Sequence, residues 1–204
     1  MFDPQTLRLL AITDDLRDGV GGLVDRAAAA VRGGATMVQL RLKSADARTL
    51  VEVARALVAA LPVPVVVNDR ADVALAAGAD GVHLGAEDVP PSALRPSLPV
   101  GFIVGASVGC DAELLNAVGA DYVGIGPVFG TASKSDAGDA IGVAEFARLA
   151  RLAGRPAVAI GGITPENVAS LRDAGASGVA VIRAIFAAPD PSEAARALIR
   201  ASGS

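Results

Sequence analysis

The chain has 204 residues, 52% of them hydrophobic and 20% charged, a composition that supplies a folded core and excludes intrinsic disorder. Eighteen basic against 22 acidic residues leave a net charge of −4, so no general positive field draws nucleic acid or an anionic membrane, and any anion must be held at a local site. Cys110 is the only cysteine, which rules out an intrachain disulfide and a multi-cysteine zinc site.

The N-terminal stretch carries Asp3, Arg8, Asp14, Asp15 and Arg17 in place of a basic start and an apolar run, and no apolar run is long enough to span a bilayer, so a cytoplasmic protein is expected. Residues 7–13 read as the first strand and 22–31 as an Ala-rich helix. Next comes Gly34-Ala35-Thr36-Met37-Val38-Gln39: a glycine, a two-residue connection and a buried strand. The same pattern returns at Gly78-Ala79-Asp80-Gly81-Val82-His83, Gly119-Ala120-Asp121-Tyr122-Val123-Gly124 and Gly175-Ala176-Ser177-Gly178-Val179-Ala180. These glycines lie 44, 41 and 56 residues apart, too far for one strand-helix unit and suited to two. Strands are accordingly expected between them, at 63–68, 101–107 and 157–160, with helical stretches at 45–60, 71–77, 111–118, 143–153 and 165–174. Eight strands alternating with eight helical stretches predict a parallel (β/α)8 TIM barrel in one domain spanning 1–204; an open doubly wound sheet is the alternative. The surplus in the last spacing falls in residues 126–142, a polar loop after a strand, where barrels of this kind carry ligand chemistry.

In such a barrel the residues ending the strands converge on one mouth. The period of two sends Gln39, Arg41 and Lys43 to the same side, though Arg41 and Lys43 could equally solvate a helix start. Asp69 and Asp88 follow neighbouring strands, the arrangement a magnesium ion uses when water and phosphate complete its shell. The plainer roles are a helix N-cap for Asp69 and a turn residue for Asp88. His83, the only histidine, is either a hydrogen-bonded barrel residue or a ligand contact. Thr131, Ser133 and Lys134 stand among glycines in the long loop and suit an anion. After the seventh strand, Gly161 and Gly162 admit a ligand close to the backbone, Thr164 suits a helix cap and Pro165 a first helical position, with Arg183 next door on strand eight. Two anion sites result, one cationic and metal-capable, the other built of glycine backbone.

These segments, Gln39-Leu40-Arg41-Leu42-Lys43, Asn68-Asp69-Arg70, Asp80 to Gly85 with Glu87-Asp88, Gly124-Ile125-Gly126-Pro127-Val128-Phe129 with Thr131 and Lys134, and Ala159 to Ile163, resemble the thiamine-phosphate synthase family in order from about Leu9 to Ile185. The resemblance implies a TIM-barrel transferase that joins hydroxymethylpyrimidine diphosphate to hydroxyethylthiazole phosphate and releases pyrophosphate through a dissociative, magnesium-assisted substitution. It implies that Arg41, Lys43, Asn68 and Lys134 hold the diphosphate, that Asp69 and Asp88 hold Mg2+, and that Gln39 meets the pyrimidine. Ser107 would sit beside the pyrophosphate, with Thr131, Ser133, Gly161 and the backbone at Ile182 and Arg183 on the thiazole phosphate. The implied partners are the two small-molecule substrates, with a homo-oligomer left open and nucleic acid and membranes excluded.

The chain departs from the family's usual residues at Leu10, Leu42, Ala86, Gly109, Gly130 and Ser133. A sister family of thiazole tautomerases shares the barrel, yet usually lacks a carboxylate like Asp88 and uses a histidine near the position of Gly109. A non-catalytic barrel that binds thiazole phosphate is the alternative from another class.

Overall fold

The computed structural model describes residues 2–130 and 139–203. Among these, eight parallel strands pair in sequence order and close on themselves: β1 (Leu9–Ile12), β2 (Met37–Leu40), β3 (Val65–Asn68), β4 (Gly81–Leu84), β5 (Ile103–Val108), β6 (Tyr122–Ile125), β7 (Ala157–Ile160) and β8 (Gly178–Val181). Closure is made where Leu10 of β1 registers with Ala180 of β8. The predicted (β/α)8 barrel is therefore the observed fold, and the doubly wound alternative, which has two open edges, is excluded.

The strands read as continuous apolar runs because both of their faces are buried. Alternate residues divide between two cores. Leu10, Ile12, Met37, Val66, Ile103, Tyr122, Val158 and Ala180 fill the barrel interior, and Leu7 belongs to the same cluster. The Phe2 ring stacks on Tyr122 at 6.2 Å. Leu9, Ala11, Val38, Leu40, Val65 and Val67 point outward and meet the helices. Helix α1 (Gly19–Arg32) presents Leu23, Ala27 and Ala30 to them, and α2 (Ala47–Ala60) presents Leu50, Val53, Ala54 and Leu57. These are the spacings of one helix face. Each fully buried leucine or valine contributes roughly 1.5–3 kcal/mol relative to exposure, so this two-layer core carries the stability.

The remaining helices are α3 (Ala71–Ala77), α4 (Pro91–Leu94), α5 (Gly142–Ala153), α6 (Val168–Asp173), α7 (Arg183–Phe186) and α8 (Pro191–Ser202). The four repeat glycines all have positive φ, as helix-to-strand turns require. The helical stretch expected at 111–118 is a 3-10 helix, Asp111–Ala117, whose greater rise per residue suits so short a link between β5 and β6. One expectation needs correction. The stretch from Pro165 becomes α-helical only at Val168, because Thr164–Asn167 is spent on a turn whose carbonyl at Thr164 takes the N–H groups of Asn167 and Val168. Among the described residues no helix is long and apolar enough to cross a membrane.

Candidate active site

The C-terminal ends of the strands gather the polar groups. Asp69 follows β3 directly with φ +63°, the only non-glycine residue among those described with positive φ. Its neighbours close a three-residue turn, the Arg70 N–H donating to the Asn68 carbonyl at 2.8 Å, while the Asp69 N–H donates to the His83 carbonyl at 2.8 Å. Such a conformation costs on the order of 1–3 kcal/mol and persists where surrounding structure holds it. Asp69 is not the helix cap: Arg70 occupies that position at α3, without a capping side chain. Arg70 is instead paired with Asp72, whose carboxyl it holds below the usual range.

Asp88 does shape a turn, its Oδ2 accepting the Gly85 N–H at 2.7 Å. It also converges with Asp69. A Cβ placed on Gly85 would lie 3.2 Å from Asp88 Oδ2 and 3.9 Å from Asp69 Oδ1, so the glycine leaves room exactly where two carboxylates meet. Two hard oxygen donors facing the same glycine fit a divalent cation that takes its other ligands from water and phosphate. Among the described residues no cluster of three such side chains exists.

The neighbouring strand β2 carries Gln39, with Arg41 and Lys43 in the segment that follows it. Arg41 is set by Thr13, a fully buried residue just past β1: its hydroxyl accepts the Arg41 N–H at 2.9 Å and donates to the Arg41 carbonyl at 3.2 Å. Both peptide groups of Arg41 are thus pinned by one side chain. Gln39 is buried and turned inward, hydrogen-bonded to the Tyr122 hydroxyl.

That hydroxyl begins a chain inside the barrel. Tyr122 Oη lies 3.0 Å from His83 Nδ1, and His83 Nε2 lies 3.1 Å from Ser107 Oγ. Burial pushes the Tyr122 hydroxyl well above its ordinary range, against the smaller opposing effect of Gln39. His83 is therefore a hydrogen-bonded barrel residue, the first of the two roles expected of it.

Ser107 opens into a cavity of about 840 Å3 over β5 to β8, lined also by Gly161, Gly162, Ile182, Arg183 and Glu113. This volume suits a small phosphorylated molecule. Gly161 and Gly162 have φ +100° and +62°, and their Cβ positions would run into Pro127 and Phe129, so no other residue fits this corner. Asn167 clamps it: Nδ2 donates to the Gly162 carbonyl at 2.9 Å and Oδ1 accepts the Thr164 N–H at 2.9 Å. Thr164 thus serves the turn and caps no helix. Arg17 donates to the Phe186 carbonyl and braces α7, which starts at Arg183. On the other wall Glu113 accepts the Gly109 N–H at 2.6 Å.

The structure therefore places Ser107, Gly161, Gly162, Ile182 and Arg183 around one cavity, and Asp69 and Asp88 around Gly85. Thr131, Ser133 and Lys134 lie outside the described residues; Gly130 and Asp139, which flank that stretch, both line the cavity. Thr13, Tyr122 and Asn167 are site residues that the sequence reading does not single out: Tyr122 stands in a repeat as a strand residue, and for Asn167 the available signal is Asx-type turn chemistry after two glycines.

Fold and mouth define a (β/α)8-barrel enzyme whose polar groups collect at the C-terminal strand ends. The sequence model of a family described as thiamine monophosphate synthase matches residues 9–185. The thiamine-phosphate synthase of Xanthobacter autotrophicus is 48% identical over 203 residues, covering 97% of this chain and 96% of its own. That of Azorhizobium caulinodans is 46% identical over 203 residues with the same coverage. A solved thiamine phosphate pyrophosphorylase from Pyrococcus furiosus superposes with a TM-score of 0.86 at 36% identity, covering 98% of this chain and 97% of that one. The chain belongs to the thiamine monophosphate synthase family, and it is a transferase of thiamine biosynthesis.

Proposed function

We propose that the mouth joins hydroxymethylpyrimidine diphosphate to hydroxyethylthiazole phosphate, giving thiamine phosphate and pyrophosphate. The carbon–oxygen bond to the diphosphate breaks first, its electron pair leaving with pyrophosphate, and the thiazole nitrogen lone pair then forms the new carbon–nitrogen bond. The observation that carries this reading is the division of the mouth: two carboxylates converge over Gly85 on one side, and a glycine-walled cavity opens from Ser107 on the other. One side suits a metal-bound diphosphate, the other a monophosphate.

Asp69 and Asp88 would hold a magnesium ion, which when bound neutralises charge on the diphosphate and stabilises the departing pyrophosphate. Arg41, Lys43, Asn68 and Lys134 bind the same group as fixed positive charges and donors that need no reorganisation as charge develops. Gln39 faces the pyrimidine and Ser107 the pyrophosphate. Gly161 and Gly162, with Thr131, Ser133 and the backbone at Ile182 and Arg183, receive the thiazole phosphate. Holding both substrates converts a bimolecular encounter into a positioned one and keeps water from the electron-poor carbon. Glu113, beside Gly109, is a carboxylate on the wall of the thiazole cavity, where the product's positive ring will form.

The test supplies the purified protein with both substrates and magnesium and measures pyrophosphate and thiamine phosphate together. Equimolar release that needs both substrates is expected. Isomerisation of a thiazole phosphate without the pyrimidine would indicate a tautomerase, and tight thiazole-phosphate binding with no turnover at any magnesium concentration would indicate a binding protein.

A further inference from the structure

The four-residue chain inside the barrel comes from four different strands, β2, β6, β4 and β5, and space is kept for it. A Cβ at Gly105 would press against the Tyr122 ring and lie within 2.5 Å of His83 Nδ1; one at Gly124 would lie 3.1 Å from His83 Cε1. The imidazole thus stands between two glycines with a hydroxyl at each nitrogen.

A neutral imidazole donates from one nitrogen and accepts at the other, so the chain has a direction. Two ends decide which. At the inner end the phenol is buried and keeps its proton at neutral pH, and His83 Nδ1, 3.0 Å away, is the ring nitrogen placed to accept it. The phenol proton then goes to His83 Nδ1, which leaves the imidazole proton on Nε2. At the outer end a diphosphate has no hydrogen to give, so a serine touching it must donate. Ser107 Oγ therefore takes its inner hydrogen bond from His83 Nε2–H. Both ends give the same polarity. The reverse arrangement would have the ring donate to Tyr122 and take the His83 acceptor away from the buried phenol proton, an uncompensated cost.

We propose that Tyr122 and His83 are positioning residues that hold His83 in the Nε2–H tautomer and thereby fix Ser107 as a hydrogen-bond donor to the departing pyrophosphate. This rests on the reading that the mouth expels pyrophosphate, but the tautomer does not.

His83 is the only histidine, so protein labelled with 15N-histidine gives one pair of ring-nitrogen signals. At neutral pH the unmodified enzyme is expected to show the Nε2–H pattern. Tyr122→Phe, which removes one buried oxygen and keeps the ring, should lose that pattern. It should also lower kcat about tenfold, the scale of one hydrogen bond in the transition state, with KM for both substrates within about twofold. In a Ser107→Ala background Tyr122→Phe should cost nothing further, because the serine it acts through is gone. Ser107→Ala alone should keep the Nε2–H pattern. The proposal is overturned by an Nδ1–H or doubly protonated ring in the unmodified enzyme, by an unchanged tautomer in Tyr122→Phe, or by an equal loss of kcat with and without Ser107. If no thiamine phosphate forms while the ring shows Nε2–H, the functional reading fails and the polarity of the chain stands.

Discussion

Thr13→Val replaces a fully buried hydroxyl with a methyl of nearly the same shape, so its effect isolates hydrogen bonding from packing. The Arg41 N–H loses its acceptor at 2.9 Å and the Arg41 carbonyl loses a donor at 3.2 Å. An orphaned buried amide costs about 1–3 kcal/mol and a lost neutral hydrogen bond about 0.5–1.5. The valine variant should therefore be destabilised by roughly 2–4 kcal/mol, which for a chain of this length lowers Tm by roughly 5–15 °C. Thr13→Ser keeps both hydrogen bonds and loses one methyl, about 1 kcal/mol. Thermal melts and urea titrations of both variants give the order, and assays at varied diphosphate concentration should show KM rising for valine only, as the backbone of Arg41 loosens. A valine variant as stable as the serine one would refute the reasoning, since shape alone would then govern the position.

Asp69→Asn keeps a residue that tolerates positive φ while removing one of two converging charges; stability should stay within about 0.5 kcal/mol and turnover at fixed magnesium should fall on the order of 10²-fold, partly restored by more magnesium. Asn167→Ala removes both clamps on the Gly161–Gly162 corner and should raise KM for the thiazole phosphate about tenfold with little effect on that for the diphosphate, read from steady-state kinetics. Asp46 caps α2 through Thr49, and this hydrogen bond holds its carboxyl below the ordinary 3.8. A depressed folded-state value stabilises above 3.8, and the increment is lost as pH falls through that lower value; Asp46→Asn keeps an N-cap acceptor, so its Tm should lose less on acidification than that of the unmodified chain.

The strands were legible because each is buried on both faces and so written in valine, leucine, isoleucine and alanine, with a glycine marking every second entry. Asp69 and Asp88 could be singled out because they follow two neighbouring strands; either one alone reads as a cap or turn residue. What sequence could not show is conformation and register. The left-handed backbone at Asp69 depends on the His83 carbonyl that receives its N–H. Thr13 meets Arg41 across 28 residues only because β1 and β2 register Ile12 with Gln39. Tyr122 read as one more strand residue within a repeat, since its polar partners, Gln39 and His83, lie on two other strands. The 3-10 course of Asp111–Ala117 was hidden because a seven-residue amphipathic stretch fits either helix.

His83 joins the two halves of the mouth. Its carbonyl accepts the N–H of Asp69 at 2.8 Å and helps to hold that residue in its strained turn, while its ring reaches Ser107 at the cavity. A substitution at His83 would therefore disturb the carboxylate side through packing of the β4 end as well as the serine through the ring, and loss of activity would not say which mattered. The Tyr122 hydroxyl reaches His83 only at the ring. It can be removed while the backbone of β4, the Gly85 turn and both carboxylates stay as they are, so the direction of the hydrogen-bond chain is separable from the geometry of the carboxylate side. Apolar residues fill the interior of this barrel, and the buried polar chain through Tyr122 and His83 runs to the Ser107 hydroxyl at the cavity.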